Sequence, residues 1–307
     1  MTSKKRISHS AWSKYLMCPK MYDLHYNEKL RPTGTSSALL FGLAIDEALN
    51  ALLLDKGKPL DVFRKHFVEF GDDVSIHPND IDFNVLEPDQ KEALSGKDEI
   101  FQAWACLRVK GRLLLEAYEE VFLPQIEEVI SVQKNLEGRP GVIDAVIRHR
   151  SHGVVLVDHK TASRPYTKDA LRRSTQLSLY AGNEKIEKAG FVVLLKNLPK
   201  AKVCKVCGTD GSGTRYKTCA ETKDGVRCGG AWHYTVDKRK AVQVIIGDVP
   251  KSNQDLVESS IRQVEAAIRA GIYPRNLTTC NWVYGSPCPY VNYCWNGNKK
   301  GLEKKEK

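Results

Sequence analysis

Alternating apolar and polar positions dominate the middle of the chain and predict strands there. Residues 142–148 (VIDAVIR) and 153–160 (GVVLVDHK) are rich in β-branched residues and flank a short Ser-His-Gly turn, which is the pattern of a β-hairpin. Residues 125–136 alternate as a strand that leads into the hairpin, and residues 191–198 and 241–249 predict two further strands that pair. We therefore expect a sheet built around the hairpin.

Helical periodicity surrounds these strands. Residues 8–26, 98–123, 168–186 and 253–270 carry apolar residues at helical spacing, with capping residues or prolines near their ends. Residues 36–54 are apolar nearly all round, which predicts a helix buried in the domain. Helices interleaved with strands predict an α/β fold in which a mixed central sheet is flanked by helices.

Composition narrows the class of protein. The length of 307 residues suits one large or two modest domains, and 42% hydrophobic content is ample for a core. The 47 Lys and Arg residues against 37 Asp and Glu give a net charge of +10, which favours DNA or RNA as partner, although a generically basic protein is the alternative. The sequence has neither a membrane-length apolar run nor a signal-peptide pattern. We expect a cytoplasmic protein of a bacterium, an archaeon or a phage-infected cell, without membrane contact.

The hairpin brings charged side chains together. Folding about its turn places Asp144 opposite or diagonal to Asp158 and Lys160, and alternation puts Asp158 and Lys160 on one face. Neighbouring buried carboxylates need a cation, and Mg²⁺ or Mn²⁺ suits oxygen ligands. Lys160 would polarise a water and stabilise charge on a phosphate, whereas a solvated Asp-Lys pair on a surface hairpin is the alternative. The following helix places Gln176 and Tyr180 on one face, towards a DNA strand or the metal.

These residues carry a resemblance. GVID, DHK and QLSLY, in this order, are similar to the GxxD, (D/E)xK and QxxxY signature of the RecB-like branch of the PD-(D/E)XK nucleases, which includes AddB-type, CRISPR-associated and phage exonucleases. The resemblance implies a restriction-endonuclease-like core. It also implies that Asp144 and Asp158 are metal ligands, that His159 adds its carbonyl, and that Lys160 is the catalytic lysine.

The apolar helix at residues 36–54 departs from this family pattern. The resemblance implies GxxxH in this helix, with the histidine on the metal, but residues 42–46 (GLAID) place Asp46 at that position. Aspartate can bind Mg²⁺ or Mn²⁺, so we include Asp46 as a metal ligand. A salt-bridged core acid is the alternative for Asp46, and Glu47 is the neighbouring candidate.

A polar insertion separates the last two predicted strands. Residues 201–232 contain Cys204, Cys207, Cys219 and Cys228 among Gly, Lys and Thr residues. Four thiolates are what a tetrahedral structural zinc requires, although the second pair is spaced more widely than CxxC and the match to a zinc ribbon is partial. Free thiols on a mobile hairpin are the alternative.

Four further cysteines lie near the chain ends. Cys18 precedes a proline, and Cys280, Cys288 and Cys294 alternate with aromatic residues and prolines. The family resemblance implies that one amino-terminal and three carboxy-terminal cysteines hold a 4Fe-4S cluster, with zinc in the same thiolates as the alternative. Cys106 is expected to pack in the core, and the basic tail at residues 296–307 is expected to be disordered.

Together these features predict a metal-dependent DNA nuclease. The core would comprise residues 1–200 and 233–307, interrupted by the cysteine-rich insertion at 201–232. An exonuclease on single strands or duplex ends, in recombination, repair or phage DNA processing, is the leading interpretation. The alternative is a catalytically degenerate nucleic-acid-binding or scaffold protein of a helicase or recombination complex, in which the insertion binds the partner protein.

Overall fold

A five-stranded sheet forms the centre of the fold. The computed structural model describes residues 6–280 and 287–305. The strands are β1 (Leu30–Pro32), β2 (Thr35–Ser36), β3 (Val74–Ser75), β4 (Ile126–Asn135), β5 (Val142–His149), β6 (Gly153–Ala162), β7 (Lys188–Leu195), β8 (Lys200–Cys204), β9 (Thr222–Lys223), β10 (Val226–Arg227), β11 (Trp232–Val236), β12 (Val242–Asp248) and β13 (Leu302–Lys304). The central sheet has the order β12-β7-β6-β5-β4, and the short strands pair among themselves.

One parallel pair makes this sheet mixed. Strands β4 and β5, β5 and β6, and β7 and β12 are antiparallel, whereas β6 and β7 are parallel. A parallel pair needs a crossover, and the chain makes one through two helices between β6 and β7. The pairing of β12 with β7 confirms the predicted partnership of the last two strands.

Helices cover both faces of the sheet. They are α1 (His9–Met17), α2 (Pro19–Tyr22), α3 (Ser37–Leu53), α4 (Pro59–His66), α5 (Pro88–Leu94), α6 (Glu99–Val121), α7 (Ala170–Arg173), α8 (Thr175–Glu184), α9 (Lys238–Ala241), α10 (Lys251–Arg269) and α11 (Val291–Asn296). None of the helices within residues 6–280 and 287–305 has both the length and the apolar character needed to cross a bilayer.

Alternation along β6 divides the interior into two cores. Val155 and Val157 face the core beneath α3, α4 and α6, and Leu156 faces the core beneath α1, α8 and α10. A sheet with both faces covered is expected to have strands that are apolar on both sides, as β6 and β7 are. The predicted α/β architecture, a mixed sheet flanked by helices, is confirmed and is consistent with a restriction-endonuclease-like core.

Two predicted helices are interrupted. The helix expected over residues 8–26 breaks at Cys18, which is extended, and continues as α2 and a π-helical turn at Asp23–Asn27. The helix expected over residues 168–186 is two helices, because Ser174 leaves the helical conformation and its hydroxyl accepts a hydrogen bond from the Leu177 N–H. This N-cap restarts the chain as α8.

Helix α3 is not buried on all sides, so that expectation was wrong. Phe41 and Ile45 lie in the core, but Leu39 and Leu43 are each 55% exposed. The outer face of α3 borders a cleft at the end of the sheet, and no element packs over these leucines in the described part of the chain. An apolar face that remains open in this way is commonly a binding surface.

The predicted disorder of the basic tail was also wrong for Leu302–Lys304, which form strand β13. Strand β13 pairs antiparallel with β1 in the register Leu30 with Lys304 and Pro32 with Leu302. Leu302 packs against a small apolar cluster that includes Leu24 and Tyr290. Burial of these side chains therefore orders a segment whose composition alone predicted disorder.

Close packing of α4 on α6 predicts a sensitive position. A Cβ added at Gly111 would lie 2.2 Å from Cζ of the fully buried Phe63. We expect Gly111→Ala to lower the free energy of unfolding by about 1–3 kcal/mol, measured by urea denaturation. Gly182→Ala is the matched control, because its added Cβ would meet the flexible side chain of Gln254 at 3.2 Å. Equal stability of Gly111→Ala and wild type would contradict this packing.

Candidate active site

The β5–β6 hairpin positions two acids face to face. His149 pairs with Gly153, and the ladder ends at Ala145 opposite Val157. The next residues along this register are Asp144 and Asp158, at the point where the two strands part. Asp144 accepts a hydrogen bond from the backbone N–H of His159 at 2.8 Å, which holds its carboxylate against the end of β6.

The buried carboxylate of Asp158 forms an ion pair with the partly exposed Lys160. Lys160 Nζ lies 2.6 Å from Asp158 Oδ2, and the side chains are 33% and 3% exposed respectively. Burial raises the pKa of Asp158, Lys160 opposes this shift, and the negative charge of Asp144 adds to it. Burial lowers the pKa of Lys160, but the attraction of Asp158 outweighs it and raises the pKa overall. Lys160 is therefore a cation at neutral pH.

Helix α3 contributes a third acid, Asp46. Ligand atoms of Asp46, Asp144 and His159 lie within 4.8 Å of one another. Burial, and then the charge of Asp144, raises the pKa of Asp46 to about 6. Glu47, the neighbouring candidate, lies on the exposed side of α3. The geometry thus places Asp46, at the position where the family pattern has histidine, beside the hairpin acids.

Two amides hold Asp46 in place. Asn50 Nδ2 and Gln133 Nε2 each lie 3.3 Å from Asp46 Oδ2, and Gln133 Nε2 is also 3.3 Å from Asn50 Oδ1. Gln133 has a φ of 51°, in the left-handed region that non-glycine residues seldom adopt. Strained backbone of this kind is often found at functional sites. The sequence marked Gln133 only as a position where some relatives have an acid.

His159 lies on the opposite face of β6 from Asp158 and Lys160. Its ring is buried, and His159 Nε2 is 3.0 Å from the hydroxyl oxygen of Tyr118 in α6. Burial lowers the pKa of His159 to about 4, so the imidazole is neutral near pH 7. The sequence predicted that His159 binds the metal through its backbone carbonyl. In the structure, a ring nitrogen of His159 also lies within 4.8 Å of the carboxylates of Asp46 and Asp144.

A divalent cation fits this arrangement of donors. His159 Nδ1 is buried and has no hydrogen-bond partner among the described residues, whereas the buried Asp158 Oδ2 is paired with the Lys160 ammonium. Buried polar atoms without partners cost free energy, and three carboxyl groups close together repel one another. A dication between Asp46 and Asp144 would relieve both penalties.

Helix α8, which follows the hairpin, packs in the second core and carries Gln176 and Tyr180. Tyr180 is 6% exposed, and burial raises the pKa of its hydroxyl, which also senses the charges of Asp158 and Asp144. Gln176, one turn earlier, is half-buried, and its amide opposes this rise in the pKa of the Tyr180 hydroxyl. Gln176 and Tyr180 therefore lie one turn apart on α8, and the role predicted for them at the site stays a prediction.

Two nearby residues had no recognisable signal in the sequence. His9 Nε2 lies 2.9 Å from the Thr175 hydroxyl, and burial followed by the charge of Lys160 lowers the pKa of His9 to about 4. Burial raises the pKa of Tyr166, and Lys160 opposes the shift. His9 reaches the site only because α1 packs on the second core.

A cleft of about 350 Å³ lies between α3 and the end of the sheet, and Asp46, Asp144, His159 and Lys160 line it. The exposed side chains of Leu39 and Leu43 line the same cleft. A model of the PD-(D/E)XK nuclease superfamily matches residues 6–295 of the chain. The chain belongs to the PD-(D/E)XK nuclease superfamily. Members of this superfamily are typically metal-dependent enzymes that hydrolyse phosphodiester bonds of nucleic acids, usually with Mg²⁺ or Mn²⁺. No curated protein matches this nuclease significantly.

The insertion in this nuclease brings its cysteines together as predicted. The sulfur atoms of Cys204 and Cys228 are 3.6 Å apart, as are those of Cys207 and Cys219, and all four lie within 4.8 Å of one another. Tetrahedral zinc with Zn–S bonds of about 2.3 Å separates its ligands by about 3.8 Å. The four thiols therefore match the size and chemistry of a zinc site.

The terminal cysteines of the nuclease also lie in one region. The Asn276 N–H donates to Cys18 Sγ at 3.4 Å, and the Cys288 N–H donates to the Cys280 carbonyl at 2.9 Å. Burial raises the pKa of the Cys288 thiol, and the other three cysteines add to this shift. The aromatic residues between Cys280 and Cys288 lie outside the described residues.

Proposed function

We propose that this superfamily member is a DNA exonuclease that acts on single strands or duplex ends in recombination, repair or phage DNA processing. The observation that carries this proposal is the convergence of Asp46, Asp144 and Lys160 in one cleft, with the buried Asp158 paired to the lysine. The net charge of +10 suits a polyanionic substrate. The choice of exonuclease follows the resemblance to the RecB-like branch.

Different side chains of the site would have different roles in hydrolysis. When bound, Mg²⁺ or Mn²⁺ polarises the scissile phosphate and lowers the pKa of its water. Asp46 and Asp144 would hold the ion, with the Asp158 carboxylate beside them. Lys160, partly exposed and charged, stabilises the negative charge that develops on the phosphate and orients the attacking water. Exposed Leu39 and Leu43 in the cleft provide an apolar surface for bases that have left the duplex stack.

A cleavage assay tests this proposal. End-labelled linear DNA and closed circular DNA are incubated with the protein and Mg²⁺, Mn²⁺ or EDTA. We expect metal-dependent release of short products from linear DNA, intact circles, and no products with Asp144→Asn. Cutting of circles would replace exonuclease with endonuclease activity, whereas binding without cleavage in either metal would favour the degenerate scaffold.

We also propose a 4Fe-4S cluster held by Cys18, Cys280, Cys288 and Cys294. Three of them, Cys18, Cys288 and Cys294, pack against one apolar cluster, which ties both chain ends together and shields a cofactor from solvent. Anaerobic purification should yield a brown protein with four irons and four sulfides for each chain, as the cluster stoichiometry requires. Colourless protein with zinc at these positions would overturn this assignment.

The insertion is proposed to bind zinc and to contact a helicase or recombination partner. Its four thiols are positioned for the ion, and its surface exposes Val206, Tyr216 and Val226 by between 63% and 73%. Apolar side chains exposed on a metal-bound module favour protein contact. Deleting residues 202–230 should spare DNA cleavage and abolish co-purification with the partner. Loss of cleavage would instead assign the insertion to the nuclease core.

Metal binding should depend on pH. Because the pKa of Asp46 is raised to about 6, protons compete with the metal below that pH. We expect Mn²⁺ affinity to be constant above pH 7 and to fall about tenfold for each unit below pH 6, since one proton is displaced. Titration calorimetry at pH 7.5, 6.0 and 5.0 measures this dependence. Asp46→Asn should bind Mn²⁺ more weakly and lose much of the slope; an unchanged slope would exclude Asp46 as a ligand.

A further inference from the structure

We propose that the imidazole of His159 binds the active-site metal directly through Nδ1, alongside Asp46 and Asp144, and that Tyr118 is the residue that positions this ring. The inference deepens the proposed nuclease function and rests on it for the presence of a metal. The middle residue of the Asp-His-Lys sequence would then bind the metal through its side chain, and not through its backbone carbonyl alone. A backbone carbonyl would make the identity of this residue unimportant, whereas a ring nitrogen requires histidine.

Alternation along β6 directs the ring towards α3. Asp158 and Lys160 face the second core, so His159 faces the first, where α3 and α6 pack on the sheet. Asp46 extends from α3 into the same space, and Asp144 lies at the strand end between the two groups. A nitrogen of His159 and one oxygen from each acid lie within 4.8 Å of one another, which is compatible with one shared ion.

The hydrogen bonds of the ring identify the nitrogen. His159 Nε2 is 3.0 Å from Tyr118 Oη, so this nitrogen is already paired. His159 is only 9% exposed, and its Nδ1 atom is buried and has no hydrogen-bond partner among the described residues. A buried nitrogen without a partner beside two carboxylates is the arrangement expected of a metal ligand before the ion binds.

Tyr118 orients the ring. Its side chain is fully buried in the first core, and its hydroxyl oxygen lies 3.0 Å from His159 Nε2. Binding of the ion by Nδ1 requires the ring proton to be on Nε2, and in that tautomer the Nε2–H donates to Tyr118 Oη. Histidine ligands commonly donate their second N–H to an oxygen in this way, which orients the ring and raises its basicity.

A nitrogen ligand has consequences for metal preference. Carboxylates and water alone suit Mg²⁺, while imidazole shifts preference towards transition dications. We therefore expect Mn²⁺ to bind more tightly than Mg²⁺, and His159→Gln to reduce the ratio of the two affinities by about tenfold or more. An unchanged ratio in a folded His159→Gln variant would contradict direct ligation by the ring.

Pulsed electron paramagnetic resonance of bound Mn²⁺, recorded without DNA, tests the ligand itself. Wild type should show electron spin-echo modulation from a directly bound ¹⁴N, and His159→Gln should lose it. His9→Gln is the matched control, because His9 is a half-buried histidine whose pKa responds to Lys160, and it should not contribute to the coupling. Tyr118→Phe should retain the coupling but bind Mn²⁺ about 10–100-fold more weakly.

Isotope labelling of the wild-type protein tests the ligand without any substitution, so the test does not depend on whether a variant folds. Wild-type protein made with ¹⁵N-histidine should show the ¹⁵N frequency in place of the ¹⁴N one. Absence of nitrogen coupling in wild type with Mn²⁺ bound, or its persistence in His159→Gln, overturns the inference even if DNA is cleaved. Coupling that disappears in His159→Gln supports the inference even in a protein that cleaves no DNA. Failure to bind Mn²⁺ at all overturns both proposals.

Discussion

Lys160→Met should lower the rate of DNA cleavage by roughly 10²–10³-fold while leaving binding of DNA and Mn²⁺ largely intact, as is typical when one group that stabilises transition-state charge is removed. Lys160 is charged, partly exposed in the cleft and held 2.6 Å from Asp158. Its contribution is greatest when charge builds on the phosphate, so kcat should fall more than KM rises. Single-turnover cleavage of end-labelled DNA with saturating Mn²⁺ measures the effect.

Lys134→Met is the matched control for this experiment. Lys134 lies in β4 of the same sheet and also pairs with a carboxylate, Glu184, but it is not among the residues that line the cleft. Its substitution should leave the cleavage rate within about twofold of wild type, because its ammonium lies outside the cleft and a partly exposed ion pair contributes little. If Lys160→Met cleaves as fast as Lys134→Met, the lysine has no role in the chemistry.

Removal of zinc should unfold the insertion and spare the nuclease core. The chelatable site of Cys204, Cys207, Cys219 and Cys228 is the main element that holds this polar segment together, and structural zinc contributes roughly 10–16 kcal/mol of binding free energy. After treatment with a chelator, we expect residues 200–236 to become sensitive to protease within minutes, while β4–β7 remain resistant. Limited proteolysis with mass spectrometry locates the cuts.

Two variants sharpen the zinc experiment. Cys219→Ser, which replaces a fully buried ligand, should lose one zinc for each chain and show the same protease sensitivity without a chelator. Cys106→Ala removes a buried thiol of the α5–α6 region and should leave the zinc content unchanged. Identical digestion patterns before and after chelation, in protein without zinc, would rule out a structural metal in the insertion.

Features that depend on residues close together in the chain were predictable. The hairpin strands, their register and the meeting of Asp144 with Asp158 and Lys160 follow from alternation and a short turn. The gathering of four insertion cysteines follows from their spacing and from the lack of any other means to fold that segment. Capping is also a local interaction: the Ser8 side chain accepts a hydrogen bond from the Ala11 N–H and begins α1, close to the predicted start at residue 8.

Other features depend on contacts between distant segments. Periodicity could not show that α3 leaves Leu39 and Leu43 exposed, because helical patterns report apolarity and not what covers it. Nor could the sequence pair β13 with β1, because a polar tail is ordered only by the surface it meets. Ser174 divided a predicted helix because its side chain offers the backbone a competing hydrogen bond.

The sequence by itself determined the chemistry of this site, a pair of acids and a lysine on one hairpin, because side-chain alternation is a property of the local backbone. Only the tertiary structure decided which groups complete it. Tyr118 and His159 meet across 41 residues, and Gln133 reaches Asp46 across 87. Such contacts arise from how helices pack on the sheet, and packing depends on the fit of the whole interior, which no local pattern encodes.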